Sequence, residues 1–437
     1  MPLPRLSMRL RAAMFVMCAA AALAAGAVLA ASPSEAAHLA AVPIFAAYAL
    51  LFRRDILRAI RIRHVLYFVA LSVAVAAYMA GLARVSTMVK VRWSELPLAI
   101  YFLLAVHVIV WLIDRLINAG LSAAFLLKSG AGQPRGRYLA KSVLRVALFA
   151  AVVTPYLSAT FMTHWVKFGD GVLPSQYMGA TFERVAFDAT DGVRVEGWFI
   201  PSLDGITDAT VVLVGGRGLS KSCFLAYAQM LRNNDLNVLL LDLRGEGGSE
   251  GHTRSFGVKE SRDVRGAVRY LKQCKPGASR HVFGFGVASG AVAVLGAAAE
   301  EPAIEAVVVD SAFARAESAL DGPLPLPEPL SRVLRQATLA FASAGLGCNL
   351  FSAGPVRDIA RIGPRPVLLI QGQADTTCPP AAAEELLAAA AGPARLLRVP
   401  GAGHGQAMLY GGSEYTAQVL GVFKAVRSGR PAFADRG

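Results

Sequence analysis

The sequence predicts two regions of different class: an all-α transmembrane domain, then an α/β domain with a mainly parallel sheet and helices on both faces. Three observations carry this. Five apolar runs nearly free of charge, at 12–31, 36–52, 65–83, 97–113 and 143–162, are each about long enough to cross a bilayer. From residue 164 onward the pattern changes to short strand-like runs, amphipathic helices and Gly, Asp and Pro turns. Charge divides at the same place: residues 1–163 hold 17 Lys and Arg against 4 Asp and Glu, whereas residues 164–437 hold 27 against 26. The domains are therefore read as 1–163 and 164–437.

A formal net charge of +14 raises the question of nucleic acid, but the surplus sits in loops flanking the apolar runs, not on a phosphate-binding face. Nucleic acid is excluded as a partner, and the lipid bilayer is the expected one. Fourteen of the cations lie before the first run (Arg5, Arg9, Arg11), between the second and third (Arg53, Arg54, Arg58, Arg61, Arg63), and between the fourth and fifth (Arg115, Lys128, Arg135, Arg137, Lys141, Arg145). The alternate loops hold three, Arg84, Lys90 and Arg92. That bias places the N-terminus in the cytoplasm, and five spans put the second domain outside it. Residues 1–31 also fit a signal peptide cleaved near Ala30; the long uncharged stretch favours an anchor, and either account leaves the second domain on the same side. His107 and Asp114, in or beside the fourth run, have no partner pattern and read as helix-end or packing residues.

In the second domain, 182–201 alternates around an Asp-Gly turn and reads as a leading β-hairpin. A buried strand follows at 210–216, and LNVLLLDLRGEGGS (236–249) is another strand running into a glycine-rich loop. Helices are expected over 259–272, 289–300, 380–391 and 413–427, with strands at 281–285, 303–310, 366–372 and 394–400. Residues 312–350, containing DGPLPLPEP, interrupt the alternation as a small cap. Strands alternating with helices imply a parallel sheet covered on both faces. Cys223, Cys274, Cys348 and Cys378 allow three disulfide pairings or four buried thiols, and their spacing matches no metal site. No metal and no cofactor is expected, and no motif specifies an oligomeric state.

The order and spacing of VVLVGGRG, LLLDLRGEGGSEG, SFGVKESRDVRGAVRYL, VFGFGVASG, VVVDSAF, PVLLIQGQAD and VPGAGH resemble the α/β-hydrolase fold over about residues 180–428. The pattern is similar to the serine aminopeptidase-like and Bem46-like bacterial hydrolases. The resemblance implies ester, thioester or amide chemistry on a small-molecule or acyl substrate. With the five spans and their loop charges, the chain is expected to be a bacterial inner-membrane protein with this domain on the periplasmic side. Chain order in such enzymes runs nucleophile, acid, then histidine. On this chain the acid position falls on Asp375, after PVLLIQG, and the base position on His404, in PGAGHG. Asp242 and Asp310 also end strands, in contexts that suit loop stabilisation. The oxyanion amides would come from Arg217 and from Ser289, the residue after the elbow.

The elbow departs from the family pattern. A nucleophile at a strained strand-to-helix turn needs very small residues two before and two after it. Centred on Ala288, the flanks are Gly286 and Gly290; centred on Ser289, they become Val287 and Ala291. Ala288 therefore stands where the nucleophile would be, and alanine has nothing to deprotonate. Ser289 is the substitute nucleophile to weigh, with Ser220, Ser222 and Cys223 behind it. Two functions follow: a membrane-anchored hydrolase using His404, Asp375 and a substitute nucleophile, or a non-catalytic protein of the same fold that binds a ligand or partner.

Overall fold

The computed structural model describes residues 90–91, 151–152, 154–164, 167–216, 218–317, 328–351 and 354–433. The first four apolar runs, Arg217 and part of the cap (318–327) lie outside the described residues. Among the described residues no helix is long and apolar enough to cross a membrane. Of the fifth run, residues 151–152 and 154–162 are described, the latter in helix α1 (Thr154–Thr163).

An eight-stranded sheet organises the α/β domain. A short strand β1 (Lys90–Val91) pairs antiparallel with β2 (Phe168–Gly169) outside it, and helix α2 (Pro174–Met178) leads in. Strands β3 (Glu183–Asp188) and β4 (Arg194–Ile200) form the leading hairpin. Then come β5 (Ala209–Val214), α3 (Leu225–Arg232), β6 (Asn237–Asp242), α4 (Ser261–Cys274), β7 (His281–Val287), α5 (Ser289–Glu300) and β8 (Ile304–Asp310). Helices α6 (Glu328–Leu346) and α7 (Pro355–Ile362), strand β9 (Val367–Gly372), α8 (Pro380–Ala389), β10 (Ala394–Val399) and α9 (Ala407–Arg427) complete it. The sheet order is β10-β9-β8-β7-β5-β6-β4-β3, and every neighbour pair from β10 to β6 is parallel.

Strands buried on both faces need apolar side chains at every position, which is why β5, β6 and β9 read as continuous runs. The two-residue period sends Val212, Val214, Leu239, Leu241, Val307 and Val309 to the layer holding α4 and α5. Val211, Leu213, Val238, Leu240, Ala306 and Val308 go to the layer holding α3 and α9. At the edge, β3 buries only Val185 and Phe187 and keeps the clean alternation of a one-sided strand.

Two boundaries differ from expectation for physical reasons. Strand β7 runs on to Val287, because its ladder with β8 continues to the Val287–Asp310 pair. Helix α9 begins at Ala407, six residues before the expected 413, and kinks at Gly412 (φ 51°). The Gly411–Gly412 pair looks like a stop in sequence but acts as a bend between two helical pieces. Helix α6 is the described helix of the cap. It packs on α1 through Tyr156 and Phe341, whose rings meet edge-on at 5.9 Å, while Ala159, Phe256 and Leu339 join the core beneath. The four described cysteines are all free thiols.

Candidate active site

Four loops at the carboxyl ends of β5, β7, β9 and β10 build the site, as parallel sheets arrange it. Strand β7 delivers Ala288 at φ 52°, ψ −120°, a conformation that side-chain-bearing residues rarely adopt. The Ala288 N–H donates to Asp310 O at 2.8 Å, and α5 starts at the next residue. A Cβ on Gly286 would lie 2.4 Å from Gly290 O, and one on Gly290 would lie 2.4 Å from Gly215 O. Both flanks of this turn therefore have to be glycine. Ser289 is the first residue of α5 and is half-buried, with its N–H at the helix start.

The loop after β5 closes over the turn. A Cβ on Gly215 would run into the Phe224 ring, and one on Gly216 would come within 3.1 Å of Ala288 Cβ. Arg217 lies outside the described residues. Its neighbour Gly218 donates its N–H to Glu246 Oε1 at 3.0 Å, and Lys221 donates both its backbone N–H and its ammonium to Asp242. Glu246 is buried, and burial pushes its carboxyl up to about 8 against the opposing pull of Arg254 and the Gly218 amide. Ser220 and Ser222 share a 2.6 Å hydroxyl–hydroxyl bond, Ser222 also accepts from Gly171 N–H, and desolvation raises the Cys223 thiol. These side chains serve the loop.

Strand β9 ends at Gly372, where a Cβ would sit 2.3 Å from Ala402 O; that close approach brings the Asp375 turn against the histidine loop. Asp375 Oδ1 accepts the N–H groups of Thr377 (2.9 Å) and Cys378 (2.8 Å). Its Oδ2 accepts Gln371 Nε2–H at 3.3 Å and lies 2.9 Å from His404 Nδ1. Burial alone would raise Asp375, but the His404 bond and the Cys378 amide, with smaller help from His404 charge and Thr377, hold it below the ordinary carboxylate range. An ionised carboxylate only accepts, so Nδ1 carries the proton and Nε2 keeps its lone pair as a base. Nε2 bonds to no other described residue, and about a third of the imidazole is exposed.

The structure thus joins His404 to Asp375 and sets Ala288, with Gly286 and Gly290, at the turn between β7 and α5. Gln371 has no motif to reveal it in sequence; its role arises because β9 points alternate residues under the Asp375 turn. Glu246 lay unnoticed inside a glycine-rich loop.

Residues 211–419 match the model of the Alpha/beta hydrolase family. The uncharacterized protein Rv2307c of Mycobacterium tuberculosis is 31% identical over 229 residues, 52% of this chain and 74% of that protein. The chain belongs to the alpha/beta hydrolase family. Another family relative, the uncharacterized protein YfhR of Escherichia coli O157:H7, is 30% identical over 229 residues, 51% of this chain and 73% of its own length. Among solved structures, the Pyrococcus furiosus esterase Pf2001 is similar at 21% identity and a TM-score of 0.49, over 59% of this chain and 96% of that one.

Proposed function

We propose that this chain is a membrane-anchored α/β-hydrolase-fold protein that receives an ester, thioester or amide but forms no acyl-enzyme at its elbow. The observation that carries this is Ala288 at φ 52°, ψ −120° between β7 and α5, with glycine required two residues to either side. A hydroxyl at that position would be the nucleophile; a methyl group has no proton to lose and no lone pair to donate. Ser289 belongs to the helix, where its amide serves an oxyanion and its hydroxyl belongs to a different residue position from the strained one.

The retained His404–Asp375 pair favours a second reading, direct hydrolysis by water. Nε2 would take one proton from a water as its oxygen attacks the carbonyl carbon. The tetrahedral intermediate would then collapse, and the same nitrogen would return the proton to the leaving group. This route shows no burst and is slow, because binding and oxyanion stabilisation alone give about 10³–10⁴-fold over water when a triad nucleophile is missing.

A fluorophosphonate probe distinguishes these cases from a shifted serine. The native protein is expected to stay unlabelled. Ala288→Ser, which adds one oxygen at a turn already shaped for it, should gain labelling that disappears with His404→Ala. Strong native labelling at Ser289 would overturn the reading.

The membrane anchor rests on the five apolar runs and the loop charges. The pairing of Lys90–Val91 with Phe168–Gly169 supports the span count, since the loop after the third run and the segment after the fifth should lie on one side. On this reading that side is extracytoplasmic.

A further inference from the structure

The Asp310–Ser311 dipeptide is bonded to the elbow, to strand β9 and to the His404 loop. Asp310 O accepts the N–H of Ala288 at 2.8 Å, from the elbow. Ser311 N–H donates to Ile370 O at 3.0 Å, in the strand that leads to Asp375. Ser311 Oγ accepts the N–H of Gly405, next to His404, at 3.2 Å. Both residues are fully buried, and Ser311 adopts φ 57°, a left-handed conformation that a serine holds only when its surroundings demand it.

The carboxylate organises the rest. Asp310 Oδ1 accepts the Ser311 hydroxyl at 2.9 Å, which turns the Ser311 lone pairs toward Gly405 N–H. Asp310 Oδ2 accepts the fully buried Tyr415 hydroxyl at 2.9 Å. The Tyr415 ring packs edge-on against Tyr227, whose hydroxyl lies 3.5 Å from Gly405 O. Gly405, the residue after His404, is thus approached at both its N–H and its C=O, in the two peptides that flank it, from one buried network. Asp310 and His404 feel one another's charge, but the hydrogen-bonded route between them runs through Ser311 and the backbone of Gly405.

We infer that Asp310 is a positioning residue for His404: through Ser311 and the Tyr415–Tyr227 pair it fixes the Gly405 peptide and so holds the imidazole with Nδ1–H on Asp375 and Nε2 open. Burial pushes the Asp310 carboxyl up to about 6, against the bonds from Tyr415 and Ser311 and the nearby His404; above that pH it is ionised and accepts from both hydroxyls. The inference rests on His404–Asp375 being the working pair of the site, and its test needs neither turnover nor labelling.

The test is the tautomer of His404, read from imidazole 13C and 15N shifts in full-length, histidine-labelled protein in detergent micelles at pH 7.5 or above. The His404 signals are assigned by their loss in His404→Ala. The native imidazole is expected to be mainly Nδ1–H, opposite to the preference of a free histidine side chain. Ser311→Ala leaves the Gly405 N–H without its acceptor. Asp310→Asn preserves shape, with its amide oxygen for Tyr415 and its NH2 for Ser311. Each variant should lower the ratio of Nδ1–H to Nε2–H about fivefold, the effect of one ordinary hydrogen bond. Val268→Ala, in the core on the α4 side of the sheet, is the control that lowers stability without touching this network. Two results would overturn the inference: a native His404 that is mainly Nε2–H, or a ratio unchanged in both folded variants. Failure of Ala288→Ser to label leaves the tautomer result intact, so the two readings fail separately.

Discussion

Replacing Ala288 with glycine tests the geometry of the elbow independently of any chemistry. Ala288 holds φ 52°, ψ −120°, and a non-glycine residue in such a region carries strain of about 1–3 kcal/mol. Glycine relieves that strain. Two effects oppose the gain: glycine loses about 0.4–1 kcal/mol more chain entropy on folding, and removing a half-buried methyl group forfeits roughly 0.4 kcal/mol of burial. With strain near the middle of its range, Ala288→Gly is expected to stabilise the fold by about 1 kcal/mol, a factor of about five in the folding constant. Ser289→Gly, placed in the first turn of a helix with no strain to release, should instead destabilise by up to about 1 kcal/mol. Urea unfolding of the full chain in detergent, followed by tryptophan fluorescence, reads both; Trp198 is fully buried in the sheet core and reports on this domain. The urea midpoint of Ala288→Gly should rise with an unchanged slope. A midpoint that falls as far as that of Ser289→Gly would refute the strained elbow, and with it the reason for assigning the nucleophile position to Ala288.

Asp310 should leave a signature in the pH dependence of stability. Its folded value of about 6 lies above the ordinary aspartate value of 3.8, so the folded chain keeps a proton that the unfolded chain releases. This site therefore contributes stability at low pH that is lost as pH rises from about 4 to about 6, on the order of 2–3 kcal/mol; the native-minus-Asp310→Asn difference in urea midpoint should fall across that window, and a flat difference would refute it. For topology, an alkaline phosphatase fusion at the C-terminus should be active and a cytoplasmic fluorescent reporter dark. The reverse pattern would put the span count off by one.

Much of the fold is legible in the chain because a doubly covered parallel sheet demands long apolar strands. TVVLV, NVLLL and VLLIQ are visible without any tertiary knowledge. The helix boundaries were harder, as the Gly411–Gly412 pair shows, because packing of α9 on the sheet overrides a local preference for a stop. At the site, Asp375 and His404 are each found by their place after a strand, and the Gly286–Gly290 spacing points to Ala288. Gln371, Glu246 and the Asp310–Ser311 hub carry no such spacing. Gln371 acts on Asp375 only four residues on, but through a turn its own residue type does not signal; Glu246 meets Gly218, and Ser311 meets Gly405 across 94 residues.

What the sequence by itself determined is therefore the set of parts: strand and helix order, the alanine flanked by glycines, and an acid and a histidine in hydrolase order. The first two depend on local periodicity and on steric rules for neighbouring residues, which a linear chain displays directly; the roles of the acid and the histidine come from the resemblance to the hydrolase family. Only the tertiary structure decided the proton's location and the elbow's strain. The Nδ1–H tautomer follows from a 2.9 Å contact between residues on two different loops, with Asp375 already saturated by backbone amides. The unusual dihedrals of Ala288 are sustained by a β8 carbonyl and by backbone packed within 2.4 Å of where flanking side chains would be. Charge, tautomer and strain are properties of surroundings, and those surroundings exist only once the sheet has brought its strand ends together.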